Sequence, residues 1–258
     1  MPEPGVTSLD VDEIEGRQLF SEPYWTVPRQ PAALTVFKYA GVLVSSVLLW
    51  LLLIRLVVVT VAGSQPWVAL SALPALILGY LCADLLSGTV HWFCDTFFDE
   101  ETPVIGKILI EPFRDHHVHP QRITRCRFIE QDTTNFFVML PPLALAFWNG
   151  APSPGSGMAF FWCSFLVGIS IGLFGTNLFH KWAHTRNLPA PIRWMQRNGL
   201  ILGPERHQCH HGDFSRGFCV TSGWMNPVLD ALGFFPRLET AIRTVLQRPK
   251  TDPMSIDG

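Results

Sequence analysis

Several stretches of this chain are too long and too apolar to be carried by a soluble fold. A helix crossing the hydrocarbon core of a bilayer needs about 20 apolar residues, and Tyr39–Val61, containing the run VLVSSVLLWLLLI, supplies them with Arg55 as its one charge. Trp67–Val90 is a second such stretch, interrupted by Asp84 alone, and Met158–Phe179 is another. Between them, Phe136–Trp148 is shorter and contains Pro141-Pro142. The expected architecture is therefore all-α and polytopic, with about four transmembrane helices near 39–61, 67–90, 136–148 and 158–179. Composition agrees: 48% of residues are hydrophobic and 16% charged, against about 25% charged in soluble domains.

Charge orients the spans. The connections 62–66 and 149–157 carry no charge. Apart from Arg55, the 19 Lys and Arg fall in the N-terminal tail, the loop 91–135 and the C-terminal region. The positive-inside rule then puts both termini and that loop in the cytosol. Trp67, Trp92, Trp148 and Trp182 fall near span ends, where indole rings favour the interface, and Arg55 is expected to snorkel. Residues 1–35 read as an N-terminal tail, 36–239 as one domain and 240–258 as a C-terminal tail. PIRWMQRNGL and NPVLDALGFFPRLETAIRTVL have the amphipathic pattern of helices lying along headgroups. A net charge of −2 recruits no nucleic acid. Six cysteines at irregular spacings, without a CxxC pair, are expected to be free thiols.

The nine histidines fall into four groups: His91; His116, His117 and His119; His180 and His184; and His207, His210 and His211. His91 closes the second span and His180 the fourth, so four antiparallel spans bring both to one side. The other two groups belong to segments already assigned to that side. Local spacing suits coordination. His91 and Asp95 are four residues apart on a helix, as are His180 and His184, and HQCHH offers ligands at i, i+3 and i+4 on one helical face. Eight or nine imidazoles exceed the three or four protein ligands of one zinc site; they suit two metal ions with positions left open. A zinc metalloprotease lacks its HExxH support. A metal transporter would carry ligands near the midplane of its spans, where this chain has only Asp84. That residue is either functional at its depth or bonded to a neighbouring helix. Asp95 and Asp115 are candidates for ligands or for groups that orient imidazoles. Cys94 and Cys209 are expected to pack.

From about Trp67 to Leu238 the sequence resembles the plasmanylethanolamine desaturases of the Kua and CarF type, which are related to a plant plastid lipid desaturase. The resemblance is carried by ADLLSGTVHWFCDTF (83–97), PVIGKILIEPFRDHHVHP (103–120), FGTNLFHKWAHT (174–185), HQCHH (207–211) and FCVTSGWMNPVLDALGFFPRLE (218–239). It implies metal ligation by His91, His116, His117, His180, His184, His207, His210 and His211, with Asp95 as the catalytic acid position. His119 stands where animal members carry an acid, and Arg206 where some members have a further histidine. The implied cofactor is a pair of iron ions, with dioxygen as co-substrate. The implied reaction removes two hydrogens from a 1-O-alkyl ether phospholipid, giving the 1-O-alk-1'-enyl ether. Electrons must come from an external donor, cytochrome b5 or a ferredoxin with its reductase, because the chain has no GxGxxG fingerprint. The membrane would be the endoplasmic reticulum in a eukaryote or the cytoplasmic membrane in a bacterium. A fatty acyl-lipid desaturase or hydroxylase with the same histidine site is the alternative.

Overall fold

The computed structural model describes residues 32–62, 66–148 and 157–246. The chain forms two compact units, Met1–Lys38 and Tyr39–Gly258; of the first, only the opening two turns of a helix, from Ala32, are described. The expected tails and the loop 149–157 lie largely outside the described residues, which are helical and contain no strand.

Three helices, α1 (Ala32–Ala62), α2 (Pro66–Thr96) and α6 (Gly157–His184), are long and apolar enough to cross a membrane. Their outward faces carry large apolar side chains: Leu43, Val47, Trp50 and Val57 on α1, Leu70, Leu73 and Leu78 on α2, Trp162 on α6. Water would penalise so extensive an apolar surface; lipid does not.

Glycine sets the central contact. A Cβ at Gly79 of α2 would run into the Phe165 carbonyl, one at Gly168 of α6 into that of Leu76, and one at Gly172 into the side chain of Ala83. Small residues let the two backbones touch. The Ala83–Gly172 contact and the approach of His91 to His180 lie successively further along both helices than the Leu76–Gly168 contact, so α2 and α6 are parallel. Eight residues beyond Ala83 and Gly172 stand His91 and His180, with ring centroids 6.0 Å apart.

Parallel neighbours require the chain to cross back between them. The return is made by α4 (Phe128–Val138, 11 residues) and α5 (Leu140–Trp148, nine residues), not by one helix over 136–148 as expected. Pro141 and Pro142 lack the N–H groups that would continue the ladder, and the helix breaks at Met139. Together the two pieces span about 30 Å at 1.5 Å per residue. Gln131 and Asn177 exchange side-chain–backbone hydrogen bonds of 3.1 and 2.9 Å, and Phe136 packs on Phe174 at 5.4 Å, so α4 runs antiparallel to α6. Phe136, Met139, Leu143, Phe160 and Val167 fill the core between these helices with Leu52 and Leu56 of α1.

The remaining elements gather at the end of α2 and α6. A π-helical turn (Gly106–Ile110) leads into α3 (Glu111–Val118), and a 3₁₀ turn follows (Pro120–Arg125). After α6 come α7 (Ala190–Arg197), α8 (Pro204–Gly212), α9 (Asn226–Ala231) and α10 (Phe234–Val245). The amphipathic stretch 226–246 is thus two helices, turned at Gly233, whose φ of +57° suits glycine. Trp92, expected at the interface, is buried instead, packed between Phe97 and Phe235 at 5.3 and 5.5 Å. All six cysteines are free thiols.

Candidate metal centre

Four elements converge on one buried polar site: α2 with His91 and Asp95, α3 with His116 and His117, α6 with His180 and His184, and α8 with His207, His210 and His211. Their donor atoms form two groups, His116, His180, His184, His207 and His211 in one, and His91, Asp95, His117 and His210 in the other. In each group all donor atoms lie within 4.8 Å of one another.

The first group contains a closed ring of four Nε2 atoms. His180 is 2.9 Å from His116 and 2.8 Å from His207, while His211 is 3.2 Å from His116 and 3.0 Å from His207. Hydrogen bonding cannot account for this ring, because a nitrogen bearing one N–H points it at one neighbour only. Coordination can. Metal–imidazole bonds are about 2.1 Å long, so ligands at right angles stand about 3.0 Å apart. Tetrahedral ligands would stand about 3.4 Å apart. The observed edges match the right-angled case. His184 adds a fifth imidazole, its Nε2 buried and without a partner.

The second group is built around a carboxylate. Asp95 Oδ1 lies 3.2 Å from His117 Nε2, and Oδ2 lies 3.4 Å from His91 Nε2 and 3.7 Å from His210 Nε2. The outer nitrogens orient two of these rings. His91 Nδ1 donates to the Phe218 carbonyl at 3.1 Å and His210 Nδ1 to that of Arg216 at 2.7 Å. Each Nε2 then keeps its lone pair directed inward.

Helical angle explains the division. Successive residues on a helix diverge by about 100°, so adjacent His116 and His117 serve different groups, as do His210 and His211. His207 and His211, one turn apart, serve the same one. HQCHH therefore does not present all three rings to a single ion, as a common face would suggest. Burial and the neighbouring imidazoles hold His116 and His207 well below the usual histidine pKa. Burial likewise pushes His210 down to about 4, against an opposing pull from Asp95, and His211 down to about 3. Neutral imidazole is the form that binds metal. The donor set of nitrogens with one carboxylate suits iron or another first-row transition ion.

The other candidates lie elsewhere. His119 belongs to neither group; its backbone N–H caps α3 on the Asp115 carbonyl. Asp115 pairs with Arg122. Asp84 is fully buried and is a clamp: Oδ1 accepts the backbone N–H groups of Thr221, Ser222 and Gly223 at 3.1, 2.7 and 3.0 Å, and Oδ2 that of Met225 at 3.0 Å. Ser87 Oγ accepts from Val220 N–H at 3.1 Å, and Gly88 leaves room for Cys219 against α2. These contacts fasten the segment 218–226 whose first carbonyl orients His91. Sequence reasoning singled out Asp84 for its depth but had no means of finding its partners, which are backbone groups far along the chain.

The model for the lipid desaturase domain matches residues 80–252, which contain every residue of both groups. The chain belongs to the lipid desaturase family. A plasmanylethanolamine desaturase of Myxococcus xanthus is 43% identical over 177 residues, covering 68% of this chain and 61% of that protein. Plasmanylethanolamine desaturase 1 of Mus musculus is 38% identical, covering 69% and 68%. The chloroplastic fatty acid desaturase 4 of Arabidopsis thaliana is 36% identical, covering 62% of this chain and 48% of that protein. This family member thus spans about three fifths of the length of its bacterial relative. No solved structure matches it.

Proposed function

We propose that the chain is a di-iron lipid desaturase that converts a 1-O-alkyl ether phospholipid into its 1-O-alk-1'-enyl ether. The observation that carries this reading is the pair of adjoining donor groups, five imidazoles beside three imidazoles and a carboxylate, at the ends of two membrane-spanning helices. The balanced reaction is one alkyl ether, one dioxygen, two electrons and two protons giving one vinyl ether and two waters. Bound iron supplies the redox chemistry that couples dioxygen reduction to removal of the two hydrogens.

The chain's own residues set the conditions. His116, His180, His184, His207 and His211 would hold one ion, and His91, His117, His210 and Asp95 the other. Phe218 and Arg216 carbonyls hold the protons of His91 and His210 on Nδ1, so neither ring can turn its lone pair away. Phe113, Phe214 and Phe218 pack on the rings of His91, His117 and His210 at 5.2, 4.6 and 5.1 Å, and keep water from the second group. Asp95 contributes the one negative charge in the centre. The bonds to be oxidised are those of the first two carbons beside the ether oxygen, just below the headgroup. A centre at the span ends suits that depth. The site faces the cytosol in this reading, within reach of an external one-electron donor such as cytochrome b5 or a ferredoxin.

The Arabidopsis relative supports a second reading, an acyl-lipid desaturase. Both are tested together. Cells lacking an endogenous enzyme are given labelled 1-O-alkylglycerol and made to express this chain, and their lipids are analysed by mass spectrometry. Acid-labile vinyl ethers are expected. Unchanged alkyl ethers alongside a new acyl double bond would establish the second reading instead.

A further inference from the structure

Among the described residues, Arg114 is a cation without an anion. It lies on α3, two residues before His116 and three before His117, and its side chain is half-buried. One guanidinium nitrogen donates to the Phe98 carbonyl, while Nε is shielded from solvent and has no acceptor. Among the described residues no carboxylate lies within ion-pair distance of it. The acids that helix spacing offers are engaged elsewhere: Glu111, three residues back, with Lys107 at 3.6 Å, and neighbouring Asp115 with Arg122. Arg216 and Arg243 at the same end of the molecule also have acids, Asp213 at 3.1 Å and Glu239 at 2.8 Å. A guanidinium partly withdrawn from water with most of its five donors unused is costly unless an anion completes it.

Depth indicates which anion. The carbonyl that anchors Arg114 belongs to Phe98, two residues past the end of the α2 span at Thr96. With α2 read as a membrane span, that position lies beyond the hydrocarbon core, on the headgroup side. Exposed apolar side chains flank the position, Phe98 itself and Val118 one turn along α3. A phosphodiester with alkyl chains running past it meets both features, and a planar guanidinium is suited to binding phosphate through two parallel bonds.

We propose that Arg114 binds the phosphodiester of the glycerophospholipid substrate and so fixes the depth at which its alkyl chain reaches the metal centre. The proposal rests on the reading of the chain as a phospholipid desaturase, and it makes Arg114 a substrate-binding residue, separate from the metal ligands. The phosphate of a glycerophospholipid is six bonds from the first carbon of the ether-linked chain, and Arg114 is two to three helical residues from two of the ligands. Arg114 and His117 lie within one helical turn, a rise of about 5.4 Å, so the anchored lipid would bring its first chain carbons towards the centre.

The test uses the purified, iron-loaded full chain in detergent. Retention of 1-O-hexadecyl-2-acyl-glycerophosphoethanolamine is compared with that of phosphate-free 1-O-hexadecyl-2-acylglycerol, with inorganic phosphate as competitor. The wild-type chain is expected to prefer the phospholipid at least tenfold, as the loss of a charge-assisted bond implies. Arg114→Gln should remove the preference with iron content unchanged, Arg114→Lys should keep part of it, and millimolar phosphate should compete only weakly. In turnover, Arg114→Gln should raise KM for the phospholipid far more than it lowers kcat. A wild-type chain that does not discriminate between the lipids overturns the proposal without any variant. So does an Arg114→Gln chain that still discriminates, or displacement of the lipid by low phosphate, which would mark a free-phosphate site. If neither lipid is ever oxidised while the binding preference holds, it is the desaturase reading that fails.

Discussion

Replacing Asp84 by asparagine keeps the shape of the side chain and removes its charge. Three backbone N–H groups now bonded to a carboxylate oxygen would bond to a neutral amide oxygen, and that of Met225 would face the amide N–H₂. Hydrogen bonds to charged groups contribute about 1.5–3 kcal/mol and neutral ones about 1 kcal/mol. The three weakened bonds therefore cost about 1 kcal/mol each, and the stranded Met225 donor a further 1–3 kcal/mol or so. A total of about 4–6 kcal/mol is a large part of a whole domain's stability, about 5–15 kcal/mol. It falls on a segment that is also held by Ser87, by the Thr176–Thr221 hydroxyl pair at 2.7 Å, by Leu202 N–H and Arg206 on the Thr221 and Ser222 carbonyls at 3.0 Å each, and by the Cys219–Asn226 pair at 2.8 and 3.0 Å. Local detachment of 218–226 is the expected response, and with it His91 loses its Phe218 acceptor. Loss of such an outer partner typically costs ten- to a hundredfold in metal affinity. On the proposed di-iron reading, the Asp84→Asn chain should therefore keep the ion of the five-histidine group and lose that of the second, taking iron from about two per chain to about one. Hydrogen exchange over 217–226 should accelerate in the same preparation. Two retained ions with unchanged exchange in that segment would refute the clamp.

Two other outcomes follow from the division of the histidines. His211→Ala and His210→Ala alter neighbouring residues but different groups, so each should abolish turnover while lowering a different metal signal in Mössbauer spectra; His119→Ala should leave both signals and most of the activity. For pH, His210 and His211 are held down to about 4 and about 3 in the folded, metal-free chain, below the usual value near 6.5. The unfolded state then binds more protons between those values, so stability rises with pH across this window. The melting temperature of the metal-free protein in detergent should fall as pH drops from about 6.5 towards 4, and a flat profile would contradict the burial of these rings as neutral groups.

How much of this was legible in the sequence depends on the distance over which each feature is decided. The spans were readable because hydrophobicity over about 20 residues answers to the bilayer and not to neighbours. The gathering of His91 with His180 followed from crossing number alone. Pro141-Pro142 marked the weak span, though not that two helices would share the return. What could not be read is what depends on side chains meeting backbone across the chain: the Asp84 clamp, the carbonyls behind His91 and His210, the burial of Trp92 beneath Phe235. The double histidines lie between these cases. Adjacent residues on one helix diverge by about 100°, so a single ion cannot readily use both, whereas two ions side by side can. His116-His117 and His210-His211 each supply one ligand to either group. The helices α3 and α8 that carry the two pairs each touch both groups, so no rigid movement of either of these two helices can adjust one site without disturbing the other.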